Sequence, residues 1–202
     1  MRDWWLRALL VFQRPRPVFV ALRDESKESV SDRAEPVLAI VLLAGIAAVL
    51  STSAAGTLLD DADRNALIVA VWAFLAGSLY GGFGYFVFGA LLQGGVKLFG
   101  SQGTYRRSRQ VLAFAAAPIA LSLVLWPFKL ALYGEALFRT GGSDHGAGVV
   151  VFDVLEAGFL LWSGALLVLG VRAVHGWTWT RAAAACALAI AVPAALGLLL
   201  SL

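Results

Sequence analysis

From Pro36 onward, long apolar stretches with only scattered charge dominate the chain. A helix needs about 20 residues to cross a bilayer. Five stretches meet that length: 36–59, 66–92, 111–128, 149–171 and 182–202. The runs are continuous and lack the alternating polar positions of a membrane β-barrel strand. In hydrocarbon the backbone must satisfy its own hydrogen bonds, so the pattern predicts helices. Ahead of residue 36 the pattern changes. In MRDWWLRALLVFQR, Asp3, Arg7 and Arg14 fall on one helical stripe, and Trp5, Leu9 and Phe12 on another. Trp4 and Trp5 beside Arg7 suit an amphipathic helix lying among lipid headgroups; a cytoplasmic helix packed on the protein itself is the alternative. RPRP then breaks that helix, and VFVALRDESKESVSDRAEP forms a second short amphipathic piece. The expected fold is all-α and polytopic: an interfacial segment over 1–35, then a five-helix transmembrane domain over 36–202.

Composition agrees with this pattern. The chain has 202 residues, of which 60% are hydrophobic and 14% charged. Its mean hydropathy is +0.80. A soluble domain carries about a quarter charged residues, and a chain of this length could not hide so much apolar side chain from water. The pI of 9.4 could point to nucleic acid, but the basic residues flank apolar spans, where membrane-side placement accounts for them. The only cysteine, Cys186, lies in an alanine-rich run, which excludes a disulfide framework or a thiolate metal site.

The basic residues also predict an orientation. Thirteen Lys and Arg fall before span one, between spans two and three, and between spans four and five. Only Arg64 and Arg139 fall on the other side, with Lys129 inside the third apolar run. The N-terminus is therefore expected in the cytoplasm and the C-terminus opposite. No cleavable signal peptide is expected, since Trp4 to Phe12 is short and holds Arg7.

Within the spans, Gly77, Gly81 and Gly84 would let helix backbones approach closely. Their expected use is packing within the bundle, with a homodimer seam as the alternative. Gly158, Gly164 and Gly170 read the same way, as does RAAAACALAIAVPAA, so a tightly packed bundle is expected. Pro118 and Pro127 should kink the third span and Pro193 the fifth. Lys129 lies 20 residues beyond Arg109, roughly 30 Å along a helix, near the far interface. Asp153 and Glu156 are three apart on one side of span four, and pairing Lys129 with Glu156 would lower the cost of a buried charge. Lys129, Asp153 and Glu156 thus form a candidate polar group, structural or ligand-handling. Arg106, Arg107, Arg109 and His175 are the candidate cytoplasmic contacts; His175, in RAVHGWTWTRA, reads mainly as part of an interfacial turn.

No catalytic signature stands out: GxxxxGK[ST], HExxH, GxSxG and metal-spaced His/Cys clusters are all missing. His145 sits beside Asp144 in the loop TGGSDHGAG and reads as solvated. No cofactor is expected, and an enzyme is disfavoured.

FGSQGTYRRSRQVLAFAAAPIAL and WSGALLVLGVRAVHGWTWTRAAAACALAIAV together carry a resemblance. The glycine, basic loop and small-residue–proline entry to span three, with the short turn into an alanine-opened span five, resemble the Yip domain family of five-span membrane proteins. The resemblance runs from about Pro17 to Leu202. It implies membrane-protein partners: Rab GTPases and vesicle traffic among eukaryotic members, and ABC-type export systems for some bacterial ones. The excess of arginine over lysine points to a bacterial member and hence to the plasma membrane. The expected function is a non-enzymatic scaffold or accessory subunit, with homo-oligomers allowed. The alternative is a small lipid or polar-solute carrier using Lys129, Asp153 and Glu156.

Overall fold

The computed structural model describes residues 2–61, 65–141 and 146–200; Arg64, Asp144 and His145 lie outside them. Among the described residues every regular element is helical. Four apolar helical stretches are long enough to cross a membrane: Lys27–Leu50, Leu67–Leu98, Tyr105–Phe138 and Gly148–His175. A fifth helix, Trp179–Leu200, is apolar over its described side chains.

The chain enters through three short helices, α1 (Arg2–Leu10), α2 (Pro15–Ala21) and α3 (Lys27–Asp32). Pro15 and Pro17 lie in the first turn of α2, where a missing N–H costs nothing. Ser26 caps α3 by accepting from the Ser29 amide at 3.3 Å. Span one is α4 (Ala34–Leu50), shorter than the apolar run that encodes it. In the polar run after Leu50, the Thr52 hydroxyl donates to the Val49 carbonyl at 2.6 Å, competing with helix continuation. Leu59 then folds back, its amide donating to the Phe138 carbonyl at 2.8 Å.

Span two, α5 (Ala66–Leu98), has 33 residues, or about 50 Å of helix. That is longer than a hydrocarbon core of about 30 Å, and Gln93 and Lys97 lie in its last turns. Asn65 caps its start. Span three is broken into α6 (Tyr105–Ala115), α7 (Ala117–Ser122) and α8 (Leu125–Tyr133). Pro118 sits in the first turn of α7, where its absent N–H dictates the break after Ala115. Pro127 sits early in α8, after the second break. Span four is α9 (Ala147–His175), closed by Gly176 at φ +69°, the left-handed conformation glycine adopts without strain. α10 (Trp179–Leu200), which covers the fifth apolar run, stays helical past Pro193.

α4 packs most extensively on α5, which also meets α6 and α10, while α9 packs on α2, α6, α7 and α10. Glycine makes the α4–α5 crossing possible. A Cβ on Gly77 would lie 2.8 Å from the Ile46 nitrogen, and one on Gly45 would lie 2.6 Å from the Gly81 Cα. Not every small residue packs. Gly84 faces a cavity, with only Phe88 of its own helix beside it, and Gly164, which borders the same cavity, has open space where a Cβ would stand. The bundle is therefore less tightly filled there than its glycine content predicts.

The N-terminal segment is part of the main core: Val11, Phe19 and Leu22 are fully buried with Phe114 and Val111 of α6. Trp4 is buried too, its ring 5.9 Å from that of Phe114. Trp4 therefore does not anchor to lipid as expected; the inward stripe of α1 is Trp4 and Ala8, continued by Val11 in the turn that follows, and Trp5 with Leu9 faces outward. A smaller core at the other end stacks Trp126 on Phe138 with Leu59 and Val69. Large apolar side chains also cover the outside, among them Leu79, Phe83 and Leu161, each at least 70% exposed. Such a surface suits lipid rather than water.

Candidate functional site

Most of the arginines gather at one end of the bundle, where the α2–α3 linker, the α5–α6 loop and the α9–α10 turn converge. Arg23 closes the end of α9, donating to the carbonyls of Val174 (3.0 Å) and Ala173 (2.6 Å). Cations belong there, because the last carbonyls of a helix carry partial negative charge. Arg33, fully buried, donates to the Asp24 carbonyl at 2.8 Å and lies over the Trp4 ring. The exposed Arg7 covers the same ring, 4.8 Å from its centroid. Thr104 caps α6 and also donates to Glu25.

The four expected contact residues are placed differently from one another. Arg107 is held by Glu25 at 3.1 Å and by the Arg23 carbonyl at 3.2 Å. His175 meets the Ser101 hydroxyl at 3.3 Å and stacks on Trp177. Arg109 is half-buried, its guanidinium within about 5 Å of the rings of Tyr85, Phe86 and Tyr105. Arg106 is exposed, at the rim of a groove beside α6. Beneath them Gln93 donates to the Gly103 carbonyl at 2.8 Å and accepts from Ser108 at 2.5 Å. Arg23, Arg33, Gln93 and Gln110 were not singled out from the sequence. The available signal was a glutamine inside or beside an apolar run, which is costly to bury without a partner.

Two adjacent cavities open beside this end. The first, about 410 Å³, runs between α3–α4, α5 and α6, with Arg106, Arg109 and Gln110 at its polar end. It shares Val41 and Tyr85 with a second cavity of about 580 Å³, which is lined mainly by aliphatic and aromatic groups from α4 to α10. There Ser163 is satisfied internally, donating to the Ala115 carbonyl at 2.7 Å.

At the opposite end Lys129 forms a hydrogen-bonded ion pair with Glu156, which also accepts from Ser51 at 3.4 Å. The ammonium lies between the rings of Trp126 and Phe152, 5.0 and 5.7 Å from their centroids. Asp153 is not drawn in and stays exposed. None of the three lines either cavity. Nearby, Asp60 accepts from the Thr140 amide at 2.8 Å and from its hydroxyl. These bonds hold its carboxyl below the usual aspartate range.

Membrane-length apolar helices, a lipid-facing outer surface and a braced basic end define an integral, multi-pass, all-α membrane protein in contact with lipid. The Yip1 domain family matches residues 9–202, and the chain belongs to that family. No curated protein and no solved structure matches it.

Proposed function

We propose that the protein is a non-enzymatic scaffold or accessory subunit of a bacterial plasma membrane. Its basic end lies in the cytoplasm and recruits or stabilises membrane-protein partners, an ABC-type exporter among them. One observation carries the reading: four polar side chains of the basic end brace its chain segments into a platform. Arg23, Arg107, Gln93 and His175 all bind neighbouring segments. No acid, base and nucleophile converge among the described residues of either cavity, as catalysis would need. The Yip1 domain supports membrane-protein partners. A carrier built on Lys129, Asp153 and Glu156 gains no such support, because those residues line neither cavity.

The test places a photo-crosslinking residue at exposed Gln102 on the basic end, and a second at lipid-facing Leu79. In native membranes Gln102 should yield discrete protein adducts and Leu79 only lipid. An exporter subunit among the adducts supports the finer reading. Lipid-only adducts at both positions overturn the scaffold.

A further inference from the structure

We propose that the two adjacent cavities together form a binding site for one anionic glycerophospholipid, with the headgroup at Arg106, Arg109 and Gln110 and an acyl chain in the apolar cavity beyond. Arg106, Arg109 and Gln110 lie within about one turn of α6 and present two cations and an amide to the same space. Among the described residues no acidic side chain lines either cavity, so the charge there favours an anion.

Gln110 adds a polar group to the charged end of the groove. It is only 4% exposed, and its buried Oε1 has no hydrogen-bond partner. An acceptor left that way destabilises the fold unless something donates to it. A glycerol headgroup carries both the phosphate that suits the arginines and a hydroxyl that can donate to Gln110. Arg109 is already oriented for this task by the rings of Tyr85, Phe86 and Tyr105. Gly89 leaves room for its stem, since a Cβ there would run into the Arg109 side chain.

The apolar cavity accounts for the tail. Both volumes fall in the ~300–1,000 Å³ range of ligand sites. The headgroup region borders the larger space at Val41 and Tyr85, which line both. A free phosphate would leave that space empty, and a zwitterionic lipid would bring an extra cation beside two arginines. The lipid site stands apart from the scaffold reading, for either can fail with the other intact.

The backbone offers a clean test. Gly82 lines the groove, Gly164 lines the larger cavity, and a Cβ at either position meets nothing within 4 Å. Gly82→Leu should therefore fill the groove, and Gly164→Leu the tail space, without striking the protein. The measurement is native mass spectrometry of the full chain in detergent, delipidated and titrated with phosphatidylglycerol, phosphatidylcholine or glycerol 3-phosphate. One phosphatidylglycerol per chain should be retained, with phosphatidylcholine at least about tenfold weaker and glycerol 3-phosphate unbound. Arg109→Gln, Gly82→Leu and Gly164→Leu should each lower phosphatidylglycerol occupancy by a similar factor. Equal retention of both lipids, or Gly82→Leu binding as wild type, overturns the site. Glycerol 3-phosphate binding as tightly as the lipid would overturn it too, by making the site one for a free anion.

Discussion

The Lys129–Glu156 pair shows how one contact can be read twice. A lone charge at mid-membrane costs at least about 2.5–3.5 kcal/mol, so each member makes the other tolerable. Its side chains are 12% and 22% exposed, so solvent and headgroups screen it and the effect falls below that of a fully buried pair. Glu156→Gln or Lys129→Gln alone should each destabilise by about 1–3 kcal/mol, by leaving the partner uncompensated. The double variant should lie nearer wild type than the sum of the singles, as thermal melts in detergent would show; simple additivity would disprove the coupling. Asp60 makes a second prediction with a definite sign. Its carboxyl is held low by Thr140, so its contribution is present above the ordinary aspartate range and is lost as pH falls through it. The stability gap between wild type and Asp60→Asn should shrink from about pH 5 downward. A gap that widened on acidification would contradict the assignment. The depth of Lys129 and Glu156 in their spans was enough to suggest the pair from sequence. Asp153 shares the helix side but not the contact, because the ammonium, bracketed by Trp126 and Phe152, reaches only Glu156.

Among the helices, the α4–α5 crossing depends on the missing side chains of Gly45, Gly77 and Gly81. Gly45→Val would drive a side chain into the α5 backbone, where Gly81 Cα stands 2.6 Å from even a Cβ. Overpacking of this kind costs about 1–3 kcal/mol, or more where backbone must move. Gly82→Ala, one residue from Gly81 but facing open space, should be neutral or slightly stabilising, since alanine is the better helix former. Equal melting temperatures for the two variants would rule out the glycine seam. The sequence motif at 77–81 announces a close approach without naming the partner, because Gly45 sits alone in LLAGIAA. Glycine content also misleads in span four. Gly164 looks like a packing residue in one dimension but borders a cavity in three, and nothing in its neighbours along the chain distinguishes the two. Proline was a better guide: Pro118 marks a true break, since its missing N–H acts whatever surrounds it. The early end of span one escaped hydropathy because a local polar effect, the Thr52 side chain bonding back to the Val49 carbonyl, follows its last turn.

For the molecule as a whole, the unequal distribution of charge should decide orientation. The basic end contains the α5–α6 loop and the α9–α10 turn, whereas Asp60, Thr140 and Arg139 lie together at the other end. Membrane insertion retains short, Lys/Arg-rich segments in the cytoplasm, so Gln102 should face the cytoplasm and Ser53 the opposite side. The natural cysteine is buried between α10 and its neighbours. A Cys186→Ala background therefore frees the experiment from a competing thiol at little packing cost. In that background, Ser53→Cys should react with a membrane-impermeant maleimide in intact cells, and Gln102→Cys only after permeabilisation. Both positions are exposed, so a failure to react reports the membrane side rather than burial. The reverse pattern would turn the whole arrangement over. It would move the arginine platform, and with it the proposed recruitment surface, away from the compartment where an exporter's ATPase works. The lipid site would move with it to the other leaflet. Its chemistry would be unchanged, because Arg106, Arg109 and Gln110 keep the same geometry on either side.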